Sequence, residues 1–385
     1  MIPDDPELRR ALDARSASLP PDFNARLGAA LRGGRPKPNL TPIVAAFVVV
    51  AVSAASIGLL VYARHAIAPP RTAASGPRTA SPSPSPIYLP TDVELSAPSH
   101  NVVWAFVDDR LLFRSQDSGQ TWEQRQLPAT LEGGGRLAFT FADADNGWAL
   151  LPGVPATQCQ AAGAQIWRTS DGAQTWRLIS SVEPQRETPN NIGSAQCKEF
   201  ISVVDKARGF VTAWDDNSPP TIYRTSDGGE TWKPSRLPDP PGFKTYGAGD
   251  ALRAHGVFRS GNVLLVSADG MQPSGVKAYV FRSVDGGATW TYAATPPNPA
   301  IAVGFVTESR WLQIIVPGQS LETTDAGKHW HAYASDYGQA APVSPQVVFG
   351  DASVGYATVR GSIQRTEDGG LHWTYIKTPG VVQPG

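Results

Sequence analysis

"RTSDGGETW", residues 224–232, packs an Asp, two Gly, two Thr and a Trp into nine positions. Its last eight residues recur in near-copy five more times: "SQDSGQTW" (115–122), "TSDGAQTW" (169–176), "SVDGGATW" (283–290), "TTDAGKHW" (323–330) and "TEDGGLHW" (366–373). The closing Trp residues lie 54, 56, 58, 40 and 43 positions apart. A repeat of that length points to an array of small supersecondary units rather than a single catalytic loop.

The chemistry of the octamer suits a tight hairpin. Gly at its fifth position (Gly119, Gly229, Gly287, Gly327, Gly370) can take positive φ without steric cost. Asp117, Asp171, Asp227, Asp285, Asp325 and Asp368 can accept hydrogen bonds from nearby N–H groups, and the leading Ser or Thr can do so more weakly. Trp122, Trp176, Trp232, Trp290, Trp330 and Trp373 then each have a large apolar face to bury. Ala173 stands where the other copies have Gly, so a positive φ there would be strained.

A second element precedes several octamers. "DADNGW" (143–148), "DKARGF" (205–210) and "DASVGY" (351–356) set Asp four residues before Gly and an aromatic, and "TESRW" (307–311) is a degenerate copy. Short alternating runs such as "FVTAW" lie between. Each unit therefore reads as strand, Gly-aromatic turn, strand, loop, strand, octamer, strand. Four strands per repeat is one blade of an all-β, six-bladed β-propeller of antiparallel blades. The roughly 295 residues available would also divide into seven blades.

The pattern Ser/Thr-x-Asp-x-Gly-x-Thr-Trp resembles the Asp-box of bacterial neuraminidase repeat propellers. The resemblance covers residues 88–380. It implies that the box lies at the turn between the third and fourth strands, away from any ligand site, and that the six Asp are structural. The lead-in "RTSDGGETW" and the Gly-aromatic element are most similar to the photosystem II assembly/stability factor propellers, which bind partner proteins. Sialidases share the box but carry an Arg-Ile-Pro motif, absent here. Arg114, Arg168, Arg224, Arg282 and Arg365 follow the repeat period, which marks them as strand residues rather than a substrate clamp.

Propeller topology puts the two regular turns of each blade on one face and the irregular loops on the other. The latter, the top rim, is expected to hold "GVPATQCQAAGA" (153–164), "DDNSPP" (215–220) and "ADGMQPSG" (268–275). The blade links 181–197 and 239–253 join them. Variable loops on a rigid scaffold are where binding usually resides. The candidate binding residues are Glu183, Arg186, Glu187, Asp215, Asp216, Lys244, Tyr246, Asp250 and Arg253. Cys159 and Cys197 fall on this rim in adjacent units, and a disulfide is expected; its loop would stabilise by roughly 3–4 kcal/mol in the chain-entropy model.

Catalytic and metal signatures are few. There is no nucleophile elbow, zinc-protease pair or phosphate-binding glycine loop. Asp143, Asp145 and Asn146 supply oxygens but not the spacing of a calcium loop. His329 and His372 read as turn-side packing. A glycosidase would need two of Glu183, Glu187, Asp215, Asp216 and Asp250 at a defined separation. No cofactor or metal is expected, and a net charge of −1 gives no basis for nucleic acid.

Upstream, residues 1–42 read as a cytoplasmic tail, with Phe23, Leu27 and Leu31 forming one short apolar stripe. Residues 43–63 read as a transmembrane signal anchor, since an uncharged run of this length spans roughly 30 Å as a helix. Seven Lys/Arg precede it, mildly favouring an inside N-terminus. Residues 64–87 form a Pro/Ser-rich linker, and 88–385 the propeller, placed outside a bacterial-type cell membrane. The expected function is non-catalytic recognition of a protein or glycan at the top rim. The alternatives are a sialidase-like glycoside hydrolase and a single-pass sensor whose tail relays a signal.

Overall fold

The computed structural model describes residues 92–128, 136–153, 163–184, 186–215, 218–245, 251–338, 344–359 and 361–380. The expected tail, anchor and linker lie outside these residues, as do Cys159, Asp216, Tyr246 and Asp250. Among the described residues no helix is long and apolar enough to cross a membrane.

The described strands form six four-stranded antiparallel sheets, each built from consecutive strands. Blade one holds β1 (Val93–Ser96), β2 (Val103–Val107), β3 (Leu111–Ser115) and β4 (Glu123–Arg125). Blade two holds β5 (Ala138–Phe141), β6 (Gly147–Pro152), β7 (Ala164–Thr169) and β8 (Arg177–Val182). Blade three holds β9 (Cys197–Val203), β10 (Gly209–Asp215), β11 (Ser218–Thr225) and β12 (Lys233–Arg236). Blade four holds β13 (Ala251–Ser260), β14 (Val263–Gln272), β15 (Gly275–Ser283) and β16 (Thr291–Ala294). Blade five holds β17 (Gly304–Phe305), β18 (Trp311–Gln313), β19 (Leu321–Thr323) and β20 (His331–Ala332). Blade six holds β21 (Gln346–Phe349), β22 (Gly355–Val359), β23 (Ser362–Thr366) and β24 (Thr374–Ile376). The described residues therefore make a six-bladed propeller, with no seventh sheet among them.

Blade six meets blade one without exchanging a strand. Gln346 at the start of β21 pairs with the backbone of Leu95: Leu95 N donates to its Oε1 at 2.7 Å and its Nε2 donates to Leu95 O at 3.2 Å. Tyr356 OH donates to His100 O, and Arg365 Nη1 donates to Ser118 O at 2.9 Å. A shared apolar cluster joins Val103, Ala105 and Phe113 to Tyr356 and Ile363. The two blades remain separate sheets, and side-chain hydrogen bonds together with this apolar cluster close the ring.

Each octamer sits between the third and fourth strands of its blade. The leading hydroxyl accepts from the N–H of the fifth residue, as in Gly229 N to Thr225 Oγ1 at 3.0 Å and Gly370 N to Thr366 Oγ1 at 2.9 Å. The backbone is left-handed at two consecutive residues, not one: the fourth position carries positive φ as well, including Ser118 at 59° and Ala326 at 60°. Ala173 has φ 59° and is fully buried. At Gly119 and Gly229 an added Cβ would meet Ile376 Cδ1 at 2.4 Å and Ile179 Cδ1 at 2.5 Å. Those isoleucines are the third residues of the preceding blades' outer strands. The corresponding residue before Ala173 is Arg125.

The second element is a turn capped by its first side chain. Asp143 Oδ1 accepts from the N–H groups of Asp145 and Asn146 at 2.8 and 2.7 Å. Asp205 and Asp351 repeat this, and Thr307 does so with its hydroxyl. The following aromatic opens the second strand inside the core: Trp104, Trp148, Trp311 and Tyr356 are essentially inaccessible. Trp104 stacks on Phe141 of the next blade, with ring centroids 3.6 Å apart, and Trp148 meets Trp232 edge-on. Blade contacts are therefore aromatic near the turns, where area burial is largest per residue.

Three readings are corrected. The stretch "DDNSPP" (215–220) is not a loop throughout: Asp215 closes β10 and pairs with Ser218, and Ser218, Pro219 and Pro220 open β11. "ADGMQPSG" is not a loop: residues through Gln272 belong to β14, β15 starts at Gly275, and only Pro273 and Ser274 turn the chain. Pairing on both sides of β14 overrides the weak strand preference of Asp, Gly and Gln. Arg253 likewise lies in β13 rather than in the preceding link.

Candidate binding rim and central channel

The six Asp carboxylates are consumed by their own turns. Oδ1 accepts from the backbone N–H of the seventh octamer residue, at 2.8 Å from Thr121, 3.0 Å from Thr175 and Thr231, 2.9 Å from Thr289 and His329, and 3.0 Å from His372. Oδ2 accepts from the Thr hydroxyl at 2.5–2.6 Å, or faces His329 Nδ1 at 2.6 Å and His372 Nδ1 at 2.5 Å. The two imidazoles are exposed; they replace the Thr hydroxyl as polar partners and do not pack as apolar bodies. Asp368 in turn raises the His372 pKa.

Such donors stabilise the ionised form. The Thr121 hydroxyl, then its N–H, pull Asp117 down to about 2, and Thr175 does the same for Asp171. At Asp227 and Asp368 burial acts upward, but bonds from Thr231 and from His372 outweigh it and leave both at about 2. Asp285 and Asp325 are also lowered, chiefly by Thr289 and His329. No group of acids, His and Cys able to hold a metal occurs among the described residues.

The octamer Trp residues differ from one another. Trp232, Trp290 and Trp373 are buried, whereas Trp122, Trp176 and Trp330 are half-buried. Trp176 Nε1 donates to Gln126 O and Trp290 Nε1 to Ser235 Oγ, each in the preceding blade. The repeat arginines work at the same seams. Arg114 is buried; its Nη1 donates to Ala144 O in the next blade at 3.0 Å and its Nη2 to Glu123 at 3.0 Å. Blade five has Glu322 in the Arg position. Arg310, from the adjacent strand start, is held by Glu322 at 2.7 Å and reaches Gly369 O at 2.8 Å.

On the opposite rim, Glu183 and Arg186 pair with each other at 2.9 Å. Glu187 accepts from Ser194 N and Oγ at 2.9 and 2.8 Å, so it pins the link ahead of β9. Asp215 accepts from Ser218 Oγ across the turn of β10 and β11. Lys244 is exposed. Arg253 lies over the Trp214 ring, 3.5 Å from its centroid, and Trp214 Nε1 donates to Glu199 Oε2 at 2.6 Å. The structure thus unites Arg253 with two residues the sequence reading missed. Trp214 ends the run "FVTAW", and an aromatic at the rim end of a second strand was the available signal. Lys198, next to Glu199 in β9, is buried; burial lowers its pKa to about 8 against the opposing pull of Glu187. Cys197 opens β9 and is not a free thiol.

The first strands of the blades surround a central channel of about 790 Å³. Its polar lining includes Glu94, His255, Ser267, Asp269 and Asp351. His255 Nε2 and Asp269 Oδ2 are 3.0 Å apart, and Phe200 meets the imidazole edge-on. Burial raises the Glu94 carboxyl to about 7; Arg136 opposes this and Asp92 and Asp109 reinforce it. Arg136 bridges Asp92 and Asp109 at 2.5 and 2.7 Å. Arg259 is the one arginine in the described lining, and none of the described rim candidates reaches the channel.

No family model matches the chain. Xyloglucanase Xgh74A of Acetivibrio thermocellus is 30% identical over 176 residues, which are 40% of this chain and 18% of that protein. A xyloglucanase of Paenibacillus sp is 27% identical over 169 residues, 43% of this chain and 14% of its own length. The chain therefore spans less than a fifth of these curated relatives. Among solved structures, YCF48 bound to D1 peptide superposes with TM-score 0.43 and 17% identity over 75% of this chain and 83% of that one. YCF48 from Cyanidioschyzon merolae gives 0.41 and 19%, over 78% and 88%. The α-L-arabinofuranosidase Arb93A from Fusarium graminearum gives 0.48 and 12%, over 76% and 94%. At these scores the fold assignment rests on the strand order above: the chain carries a six-bladed β-propeller of four-stranded antiparallel blades.

Proposed function

We propose that this chain is a non-catalytic binding module of the Asp-box type, recognising a protein or glycan through the rim opposite the aspartate turns. The supporting observation is the Glu199–Trp214–Arg253 group. A guanidinium stacked on an indole, with that indole fixed by a carboxylate, is preordered and partly exposed. Arg and Trp in that setting are the side chains that dominate recognition surfaces. Exposed Lys244 and the Glu183–Arg186 pair add further charge to the same rim. On this reading residues 43–63 anchor the chain in a membrane with the propeller outside, and Cys159 bonds to Cys197 to tether the long loop of blade two. A free-thiol label on both cysteines would sink the tether, and alkali extraction of the full chain from membranes would sink the anchor.

The test is residue-specific photo-crosslinking in the native membrane. Probes at Lys244 and Arg186 should capture a partner that a probe at exposed Glu230, on the aspartate-turn face, does not. Deletion of residues 1–40 separates a surface binder from a sensor: the phenotype survives in the first case.

One observation favours a hydrolase as the second reading. Burial raises the Glu94 pKa to about 7, the range in which a carboxyl can serve as a general acid, and it lines the central channel. Release of reducing sugar from xyloglucan or arabinan oligosaccharides, abolished by Glu94→Gln, would establish that reading in place of the first.

A further inference from the structure

At the seam between blades three and four the repeat is interrupted. In five blades the N–H of the fourth octamer residue donates to a carbonyl of its own blade's first turn: Ser118 to Asn101, Gly172 to Asp145, Gly228 to Ala207, Ala326 to Ser309 and Gly369 to Ser353, all at 2.8–3.0 Å. In blades two and six the same turn also receives an arginine from the preceding blade: Arg114 reaches Ala144 O and Arg310 reaches Ala352 O. Blade four has no such turn. Its first two strands are joined by Gly261 and Asn262 alone. Gly286 N–H makes no backbone bond of this kind, and a Cβ built at Gly286 meets nothing within 4 Å. At Gly172, Gly228 and Gly369 the same Cβ would strike an arginine Nη1 at 2.4–2.8 Å.

A notch of about 380 Å³ occupies the place of the missing turn. Its wall carries Arg208, Arg224, Lys233 and Arg259 and no carboxylate. Arg208 is neutralised by Asp205 at 2.6 Å, and Arg259 Nε donates to Gly261 O. Arg224 Nε is buried without a partner, as are those of Arg114, Arg168 and Arg365; what sets Arg224 apart from Arg114 and Arg310 is that no described carbonyl of the next blade accepts from its guanidinium. What is absent is oxygen: two carbonyls that elsewhere accept from an arginine and from the fourth-position N–H.

We propose that this notch binds a tetrahedral oxyanion, sulfate or phosphate, free or as a monoester. Its oxygens take the place of the missing carbonyls, accepting from Arg224 and Gly286 N–H, while Lys233 and Arg259 balance its charge. Phe210 and exposed Val284 at the wall offer apolar surface to an ester's organic body. The site lies on the aspartate-turn face and is independent of the rim reading.

Titration calorimetry of the full chain with sodium sulfate, sodium phosphate, glucose 6-sulfate and glucose 6-phosphate, at constant ionic strength set with chloride, tests it. Saturable one-site binding is expected, weakened at least tenfold by Arg224→Gln and several-fold by Lys233→Gln. Arg168→Gln, at the neighbouring seam with its turn intact, should bind as the parent does. Replacing Gly261-Asn262 by the longer turn of blade six should abolish binding with the far-ultraviolet spectrum unchanged. Tighter binding of the esters would identify an organic ligand, and equal binding a free ion. Absence of saturation by all four probes, or unchanged affinity in Arg224→Gln, overturns the proposal.

Discussion

Gly229→Ala probes how the blades are joined. The residue has φ 94°, and an added methyl would lie 2.5 Å from Ile179 Cδ1 of the preceding blade. A left-handed L-residue costs about 1–2 kcal/mol. Forcing Ile179 aside adds overpacking of about 1–3 kcal/mol. The stiffer unfolded chain returns about 0.4–1 kcal/mol. The net expected loss is about 1–4.5 kcal/mol, read as a lower urea midpoint at unchanged slope. Ala173→Gly is the reciprocal test. It relieves a comparable backbone strain but loses a buried methyl worth about 0.8 kcal/mol and loosens the unfolded chain, so it should fall within about 1 kcal/mol of the parent. Ile179→Ala combined with Gly229→Ala should show favourable coupling, because the smaller side chain admits the methyl. A Gly229→Ala protein within about 0.5 kcal/mol of the parent, or a cycle with no coupling, would refute the seam described here.

Arg114→Ala should destabilise by about 1–3 kcal/mol, since it removes a buried guanidinium whose charged hydrogen bonds tie Glu123 to the half-buried Ala144 carbonyl of the next blade; chemical denaturation reads this, and a change under about 0.5 kcal/mol counts against the inter-blade role. The turn aspartates should titrate near pH 2 by carboxyl NMR. Their folded values lie below the unfolded one, so the stability they give is present above about pH 4 and lost as the pH falls toward 2; midpoints near 4 would contradict the bonding pattern. Glu94 has the opposite sign. Its folded pKa is raised to about 7, so its contribution is full below about pH 4 and is lost as pH rises through 7. Glu94→Gln should therefore gain in Tm over the parent at pH 8 and show no gain at pH 4.

The blades were legible because the turn chemistry is local. A hydroxyl, an Asp and a Gly within five residues specify one hairpin, and an aromatic after Asp-x-x-x-Gly marks the next strand. Position four escaped notice because Ser118 and Ala326 take positive φ without being Gly, their N–H groups being held by a neighbouring turn. Blade four is illegible in the sequence for the converse reason. Its long β13–β14–β15 pairings carry weak strand formers that only the ladder justifies. The exchange of Arg for Glu322, rescued by Arg310, joins two positions twelve residues apart across one sheet, and no periodic count reveals it. The rim was legible as a place but not as a constellation. Glu199, Trp214 and Arg253 come from three strands, and only the bulged register of β9 and β10 and the approach of β13 bring them together.

The most direct test of recognition at the rim is the crosslinking comparison, carried out with Trp214→Ala beside the parent. Probes at Lys244 and Arg186 should give a partner adduct, Trp214→Ala should lose it, and the Glu230 probe should give none. An adduct at Glu230 alone, or full capture at the rim by Trp214→Ala, would contradict the rim reading.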